Sequence, residues 1–253
     1  EVPDVLELLA SVQMHAIQTS GNCIRNTTSD HLAGVTIDEL EDPRPYCEII
    51  RQWSTLHPEF AFLPRKFKIA VSGAARDRAA TQVHDIGLQL VKNEQGEIGF
   101  EVLVGGGLGR TPIIGVVIRS FLEKKHLLSY LEAILRVYNL EGRRDNKYKA
   151  RIKILVKEKG IEAFREAVEK EWMEIRDLMP LSESEVERIG EFFSPHAYQR
   201  DLVNQPSELV SALESPEFSA WYQRNTVPHK VPGYRAVFLS LKPHGKPPGD
   251  MTD

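Results

Sequence analysis

Cysteine is scarce: the 253 residues hold only Cys23 and Cys47. Two thiols exclude a disulfide framework, a CxxC zinc ribbon and an all-cysteine iron–sulfur cluster held by this chain alone. The 8 histidines are scattered singly, with no H-x-x-x-H pair, so no metal site is expected from the chain's own side chains. Long apolar runs are missing too. The best candidate, residues 113–122, is broken by Gly115, Arg119 and Ser120 and falls short of the roughly 18 residues a spanning helix needs. No basic-then-apolar leader opens the chain. Its first residue is Glu1, not Met, so the start reads as processed or internal to something longer. These absences predict a cytoplasmic protein without membrane contact. An excess of positive charge is absent as well. The 32 Lys and Arg face 36 Asp and Glu, a net charge of −4, which excludes a globally basic nucleic-acid binder. G-x-S-x-G is absent, and so is a Walker A motif.

What is present reads as an α+β domain: a mixed sheet covered on one side by helices, followed by a helical linker. Residues 3–15 have helical spacing, with Val5, Leu8, Leu9 and Val12 on one face, and residues 18–29 read as a polar loop. A helix is expected over 45–55 and a strand over 66–72. Residues 83–91 and 98–104 read as a hairpin around Asn93-Glu-Gln-Gly96, ended by the glycine loop Gly105-Gly-Gly-Leu-Gly109. Helices follow over 125–139, 151–156 and 161–176. After Met179, prolines punctuate short polar pieces, and one convincing strand, 234–241, stands without a neighbouring partner.

Four features could carry chemistry. In the strand at 66–72, side chains alternate faces, so Phe67, Ile69 and Val71 form a core side while Lys66, Lys68, Ala70 and Ser72 share the other. Two unit charges about 4 Å apart interact by ~4 kcal/mol at an effective dielectric near 20. An anion between the lysines would turn that repulsion into attraction; solvated lysines on a half-exposed strand are the plainer reading. The second feature is Gly142 to Lys153, where Arg143, Arg144, Lys147, Lys149, Arg151 and Lys153 stand against a single Asp145. It is either a solvated helix face or a site for phosphate or carboxylate, which Arg grips in bidentate fashion. The glycine loop fails G-x-G-x-x-G, because Arg110 replaces the last Gly. It is either a tight turn or a close backbone approach to a flat or anionic ligand. The fourth feature is the loop Gly21-Asn-Cys-Ile-Arg-Asn26, which places Arg25 in ligand-loop surroundings.

Taken in order, Gly21–Asn26, Leu63-Pro-Arg-Lys-Phe-Lys68, Val104-Gly-Gly-Gly-Leu108 and Arg143–Lys153 with Gly160-Ile-Glu-Ala-Phe-Arg165 resemble the siroheme-dependent nitrite and sulfite reductase family, its sulfite reductase hemoproteins above all. The likeness spans roughly residues 1–176. It implies a first siroheme/4Fe-4S-type half-domain over 1–176, a helical linker over 177–232 and the start of a second ferredoxin-like half over 233–253. It implies the six-electron reduction of sulfite to sulfide at a siroheme coupled to a 4Fe-4S cluster, with electrons from a flavoprotein subunit or ferredoxin. Reduction of nitrite to ammonia is the rival within the family, and a non-catalytic anion- or partner-binding module the rival outside it. By the resemblance, Arg25, Lys66 and Lys68 bind the substrate anion, and the lysines donate protons. Asn26, Arg65, Gly106, Gly107, Arg143 and Arg144 hold siroheme carboxylates or edges. The family's cluster cysteines are not matched here, so the chain is expected to be a middle piece, inactive alone.

Overall fold

A computed structural model of the chain describes residues 1–18, 20–195, 197–199, 201–242 and 245. The chain divides into two compact units, one made of residues 1–33 and 40–194, the other of 34–39 and 195–253.

The first unit runs α1 (Val2–Ser11), β1 (Ile24–Thr28), α2 (Arg44–Ser54), β2 (Phe67–Ser72), β3 (Ile86–Lys92), β4 (Ile98–Val104), β5 (Val116–Glu123), α3 (Leu127–Glu141), α4 (Ile152–Lys159), α5 (Ile161–Ile175) and α6 (Glu183–Gly190). The five strands form one sheet in sequence order. β1, β2 and β3 are parallel, while β4 and β5 join antiparallel, so the sheet is mixed and the domain is α+β as expected. The hairpin register pairs Lys92 with Ile98 across a turn in which Gly96 takes a φ of 84°. Only glycine adopts that left-handed conformation without strain.

Strand alternation sets the core. Phe67, Ile69 and Val71 are fully buried on one side of β2, and Leu88, Phe100 and Val102 extend that face. Against it lie Leu127, Tyr130, Leu131, Ile134, Leu135 and Tyr138, at the helical spacing of α3. Burying each such side chain contributes about 1.5–3 kcal/mol. The opposite face of β2 is also closed: Ala70 and Ser72 are fully buried. The connection from β2 to β3 lies over the sheet there, and a Cβ on Gly87 would meet the Thr81 carbonyl oxygen at 2.5 Å. Of the face expected to carry the lysines, only its upper end therefore reaches the surface.

Two strands of this unit were not expected. β1 falls in the polar loop 18–29, because in Ile-Arg-Asn-Thr-Thr only Ile24 is buried. β5 occupies the interrupted apolar run, with Ile118 and Leu122 inside. α1 forms as predicted, yet no residue of it is buried, and Val2, Val5, Leu8 and Val12 are exposed.

In the second unit α7 (Ser207–Ala212) and α8 (Pro216–Asn225) precede β6 (Thr226–Pro228) and β7 (Arg235–Val237). The strand expected over 234–241 without a partner is corrected here. It is shorter, and β6 pairs with it antiparallel, Val227 opposite Ala236. Pro228, the last residue of β6, hid the hairpin, since proline within a strand is confined to edges and ends. Among the described residues no helix is long and apolar enough to cross a membrane.

A candidate anion-binding face

The face is built where β1, β2 and the glycine loop come together. Ile24 pairs with Phe67, but Asn26 pairs with Lys68, which leaves Arg25 as the extra residue of a bulge. Bulges re-aim a side chain. Here Arg25 turns back to donate Nε to the Gly21 carbonyl at 2.8 Å. Its charge is felt at Lys66, whose ammonium is held below the ordinary lysine range. Burial is the first cause, followed by Arg25, Lys68, Arg151 and Arg65. A low-dielectric setting and like charges both disfavour the protonated form.

Four of the residues assigned from sequence thus meet: Arg25, Arg65, Lys66 and Lys68. All four are half-buried. None has an ion-pair partner among the described residues, whereas Arg119 grips Glu169, Arg136 bridges Glu59, Glu132 and Glu171, and Arg188 holds Glu185. Asn26 is exposed beside Lys68 on the same face.

The other assigned residues sit differently. Arg143 pairs with Asp145 at 2.7 Å and lies 3.9 Å from Glu158. Arg144 donates to the Phe62 carbonyl at 2.9 Å and to Asn139, fastening the segment that leads into Leu63-Pro-Arg-Lys to the end of α3. Gly106 is enclosed by backbone: an added Cβ would lie 2.4 Å from the Gln82 carbonyl oxygen and 2.6 Å from that of His84. Gly107 lies on Arg151, whose Nη2 would be 3.0 Å from such a Cβ, and exchanges backbone hydrogen bonds with Ile113 at 2.9 Å.

Sequence reading missed the residues that hold this arrangement. Asp85 is buried and takes the Arg151 guanidinium at 2.7 Å. Lys153 is also buried and donates Nζ to the carbonyls of Leu108 and Thr111, which shapes the glycine loop. Tyr138 donates its hydroxyl to the Ala150 carbonyl at 2.9 Å, with its ring on Phe67. Arg151 and Lys153 lay in the basic stretch. A lone carboxylate just before an apolar strand was the available sign of Asp85.

The thiols are not poised as ligands. Cys23 donates to the Ser20 carbonyl, and burial with Asp42 and Glu48 pushes Cys47 up to about 12. No group of three or more His, Cys, Asp or Glu able to hold a metal occurs among the described residues. A cavity of about 550 Å³ lined by Glu41, Ile98, Phe121, Lys124 and Leu181 lies at the far end of β4 from the glycine loop and includes none of Arg25, Arg65, Lys66 and Lys68.

Residues 20–175 match the family model described as the nitrite and sulphite reductase 4Fe-4S domain. The chain is 35% identical over 176 residues to sulfite reductase [ferredoxin] 1 of Mycolicibacterium paratuberculosis, covering 70% of this chain and 31% of that protein. It is 31% identical over 175 residues to the chloroplastic ferredoxin–nitrite reductase of Arabidopsis thaliana, covering 67% and 30%. Among solved structures, the Mycobacterium tuberculosis NirA protein superposes with a TM-score of 0.64 at 31% identity, over 68% of this chain and 31% of that one. The chain therefore spans about a third of the length of these relatives. A dissimilatory sulfite reductase, DsrI, shares the fold at 14% identity and a TM-score of 0.54, over 88% of this chain and 66% of that one. By that match over residues 20–175, the chain belongs to the nitrite and sulphite reductase 4Fe-4S domain family.

Proposed function

We propose that this chain supplies the anion-binding side of the active site in an assimilatory sulfite reductase, which reduces sulfite to sulfide. The observation that carries the reading is the group of half-buried cations, Arg25, Arg65, Lys66 and Lys68, without a counter-ion among the described residues. Holding such charges together is unfavourable unless an anion completes them.

Siroheme fits this face, because a macrocycle with several carboxylates supplies the missing negative charge. Arg65 and Asn26 would hold its carboxylates or edge, while the missing side chains of Gly106 and Gly107 make room for the Gln82 and His84 carbonyls and for Arg151 that shape the loop beside it. Arg143 and Arg144 act at the margin. When bound, siroheme would supply the iron that binds the substrate and passes electrons to it. The 4Fe-4S cluster does not fit the residues present, since two thiols that are buried or raised in pKa cannot supply its ligands. No step is assigned to it within this chain.

The chain's own part is binding and proton supply. Arg25, Lys66 and Lys68 neutralise the substrate anion. Each departing oxygen leaves as water and so takes up protons, and Lys66 Nζ, whose ammonium is lowered by burial and by neighbouring cations, is the donor assigned here. A Lys66 ammonium lowered toward working pH gives up its proton in the reaction and regains it from solvent. The donor of electrons is read as ferredoxin, as named for the sulfite and nitrite reductases above. A flavoprotein subunit is the alternative.

Nitrite is the second substrate considered, favoured by the matches to ferredoxin–nitrite reductases. An assay of the whole reductase with chemically reduced ferredoxin, run in parallel on sulfite and nitrite, decides between them. Sulfide release with the higher kcat/KM is the expected result. A higher kcat/KM for ammonia release would assign nitrite instead. Turnover of neither, with sulfate and sulfite also failing to bind, would leave a non-catalytic module.

A further inference from the structure

Asp85 occupies the junction of β2, the glycine loop and the residue that starts α4. One carboxylate oxygen, Oδ1, accepts from Arg151 Nε at 3.1 Å and Nη2 at 2.7 Å. The other, Oδ2, accepts the backbone N–H of Lys68 at 3.0 Å. Its backbone carbonyl accepts the N–H of Gly105 at 3.0 Å. The residue therefore ties β2, the glycine loop and the residue that starts α4 to one point. The β2–β3 ladder begins only at Ile69 with Ile86, so the Lys68 N–H lies just outside it, and Asp85 supplies the acceptor. Arg151, held by Asp85, in turn lies against Gly107.

The geometry points to Asp85 as a positioning residue for anion binding: through Lys68 and Arg151 it sets the spacing between the lysine pair and the glycine loop. This rests on the reading of the face as an anion site. The residue touches no ligand itself. Among the described residues it is also the one carboxylate hydrogen-bonded to a member of the cationic group, through the Lys68 backbone N–H, so two roles compete. As a charge alone, Asp85 weakens the attraction for anions, and removing it would tighten their binding. As a brace it orients the cations, and removing it would loosen them even though the local positive charge rises. Asparagine is the diagnostic replacement. It is nearly isosteric, but its amide presents one oxygen where two acceptors are used, so one of the two ties must break.

The experiment titrates inorganic sulfate into the full chain and follows the Lys66 and Lys68 amide resonances. Asp85→Asn is expected to weaken sulfate binding about tenfold, the lower end of what partners that orient a binding group are worth. Unchanged or tighter binding overturns the proposal and leaves Asp85 as a charge only. Added to Arg151→Gln, Asp85→Asn should cost less than it costs alone, because part of its action has already been removed; a full independent loss overturns the route through Arg151. Lys66→Ala serves as the control for the face itself. If it binds sulfate as well as the parent chain, the anion-site reading fails. Amide exchange then decides the brace: Asp85→Asn should speed exchange at Lys68 and Gly105 at least tenfold, and unchanged exchange overturns it. Should Asp85→Asn not fold, Arg151→Gln breaks the same tie from the other side. It is read by the exchange of Gly107, expected to quicken tenfold, with no change counting against the brace.

Discussion

Lys66→Ala in the whole reductase is expected to lower kcat on sulfite by about 10²–10³-fold, the range a positioned proton donor contributes. Lys66 is singled out because it stands in the cationic group and its ammonium is lowered by burial and by the neighbouring cations. Replacement of Lys68, assigned here to holding the anion, should act mainly on KM. The sign with pH follows from the lowered pKa. The parent's rate should fall as pH rises through the Lys66 value, because the donor is then empty, and that limb should vanish in Lys66→Ala. Lys66→Arg sharpens the separation. Arginine keeps the positive charge but does not release its proton in a protein, so KM should be nearly kept while kcat stays low. Steady-state kinetics across pH with these variants checks the assignment. An unchanged kcat in Lys66→Ala would sink Lys66 as the proton donor.

The largest loss of stability is expected at Phe67→Ala, about 3–5 kcal/mol, the usual cost of truncating a buried phenylalanine. Phe67 is fully buried, pairs with Ile24 across the strands and lies 5.4 Å, ring to ring, from Tyr138. Its neighbours cannot collapse into the gap easily, since Tyr138 is tethered to Ala150 and Ile24 to the sheet. Denaturant unfolding followed by circular dichroism reads the change. Leu108→Ala is the matched control: Leu108 is 62% exposed, and its truncation should stay within about 0.5 kcal/mol of the parent. If the two variants unfold at the same midpoint, the account of the core is wrong. Because Phe67 stands between Lys66 and Lys68, its loss should also blunt anion binding in whatever fraction remains folded.

Much of this was legible from pattern alone. Period-two alternation identified β2 and the two strands of the hairpin, and helical spacing identified α3 and α5, because those segments bury a continuous apolar face. β1 was not legible: it is an edge strand of mostly polar residues, held by backbone pairing to β2, and backbone pairing leaves no trace in side-chain pattern. β5 was hidden for a related reason. Its ladder to β4 is irregular near Val102, and Ser120, between the buried Ile118 and Leu122, is exposed, so the apolar alternation is interrupted. For the candidate site, strand alternation drew out Lys66 and Lys68, the loop around Gly21 drew out Arg25, and Arg65 came with the family resemblance; the structure places the four together. Asp85 was not, since a carboxylate becomes informative only when its partners arrive from Lys68 and Arg151, distant in sequence on either side. Arg143 and Arg144 show the converse. They are prominent in the sequence, and the fold engages them with Asp145, Phe62 and Asn139.

The connectivity of the sheet also sets an order in time. β3, β4 and β5 are joined by short links, so each pairing closes a small loop. β1 reaches β2 only after the chain has passed through α2, and it must do so in parallel. Pairings that close long loops form slowly, and edge strands open most readily. The strand that carries Arg25 is thus expected to dock last and to open early. The cationic group is completed at the end of folding, when the rest of the sheet is in place, and amide exchange graded from slow in β4 to fast in β1 is the trace such an order leaves. A newly made chain therefore holds its hydrophobic core together before it has a place for an anion.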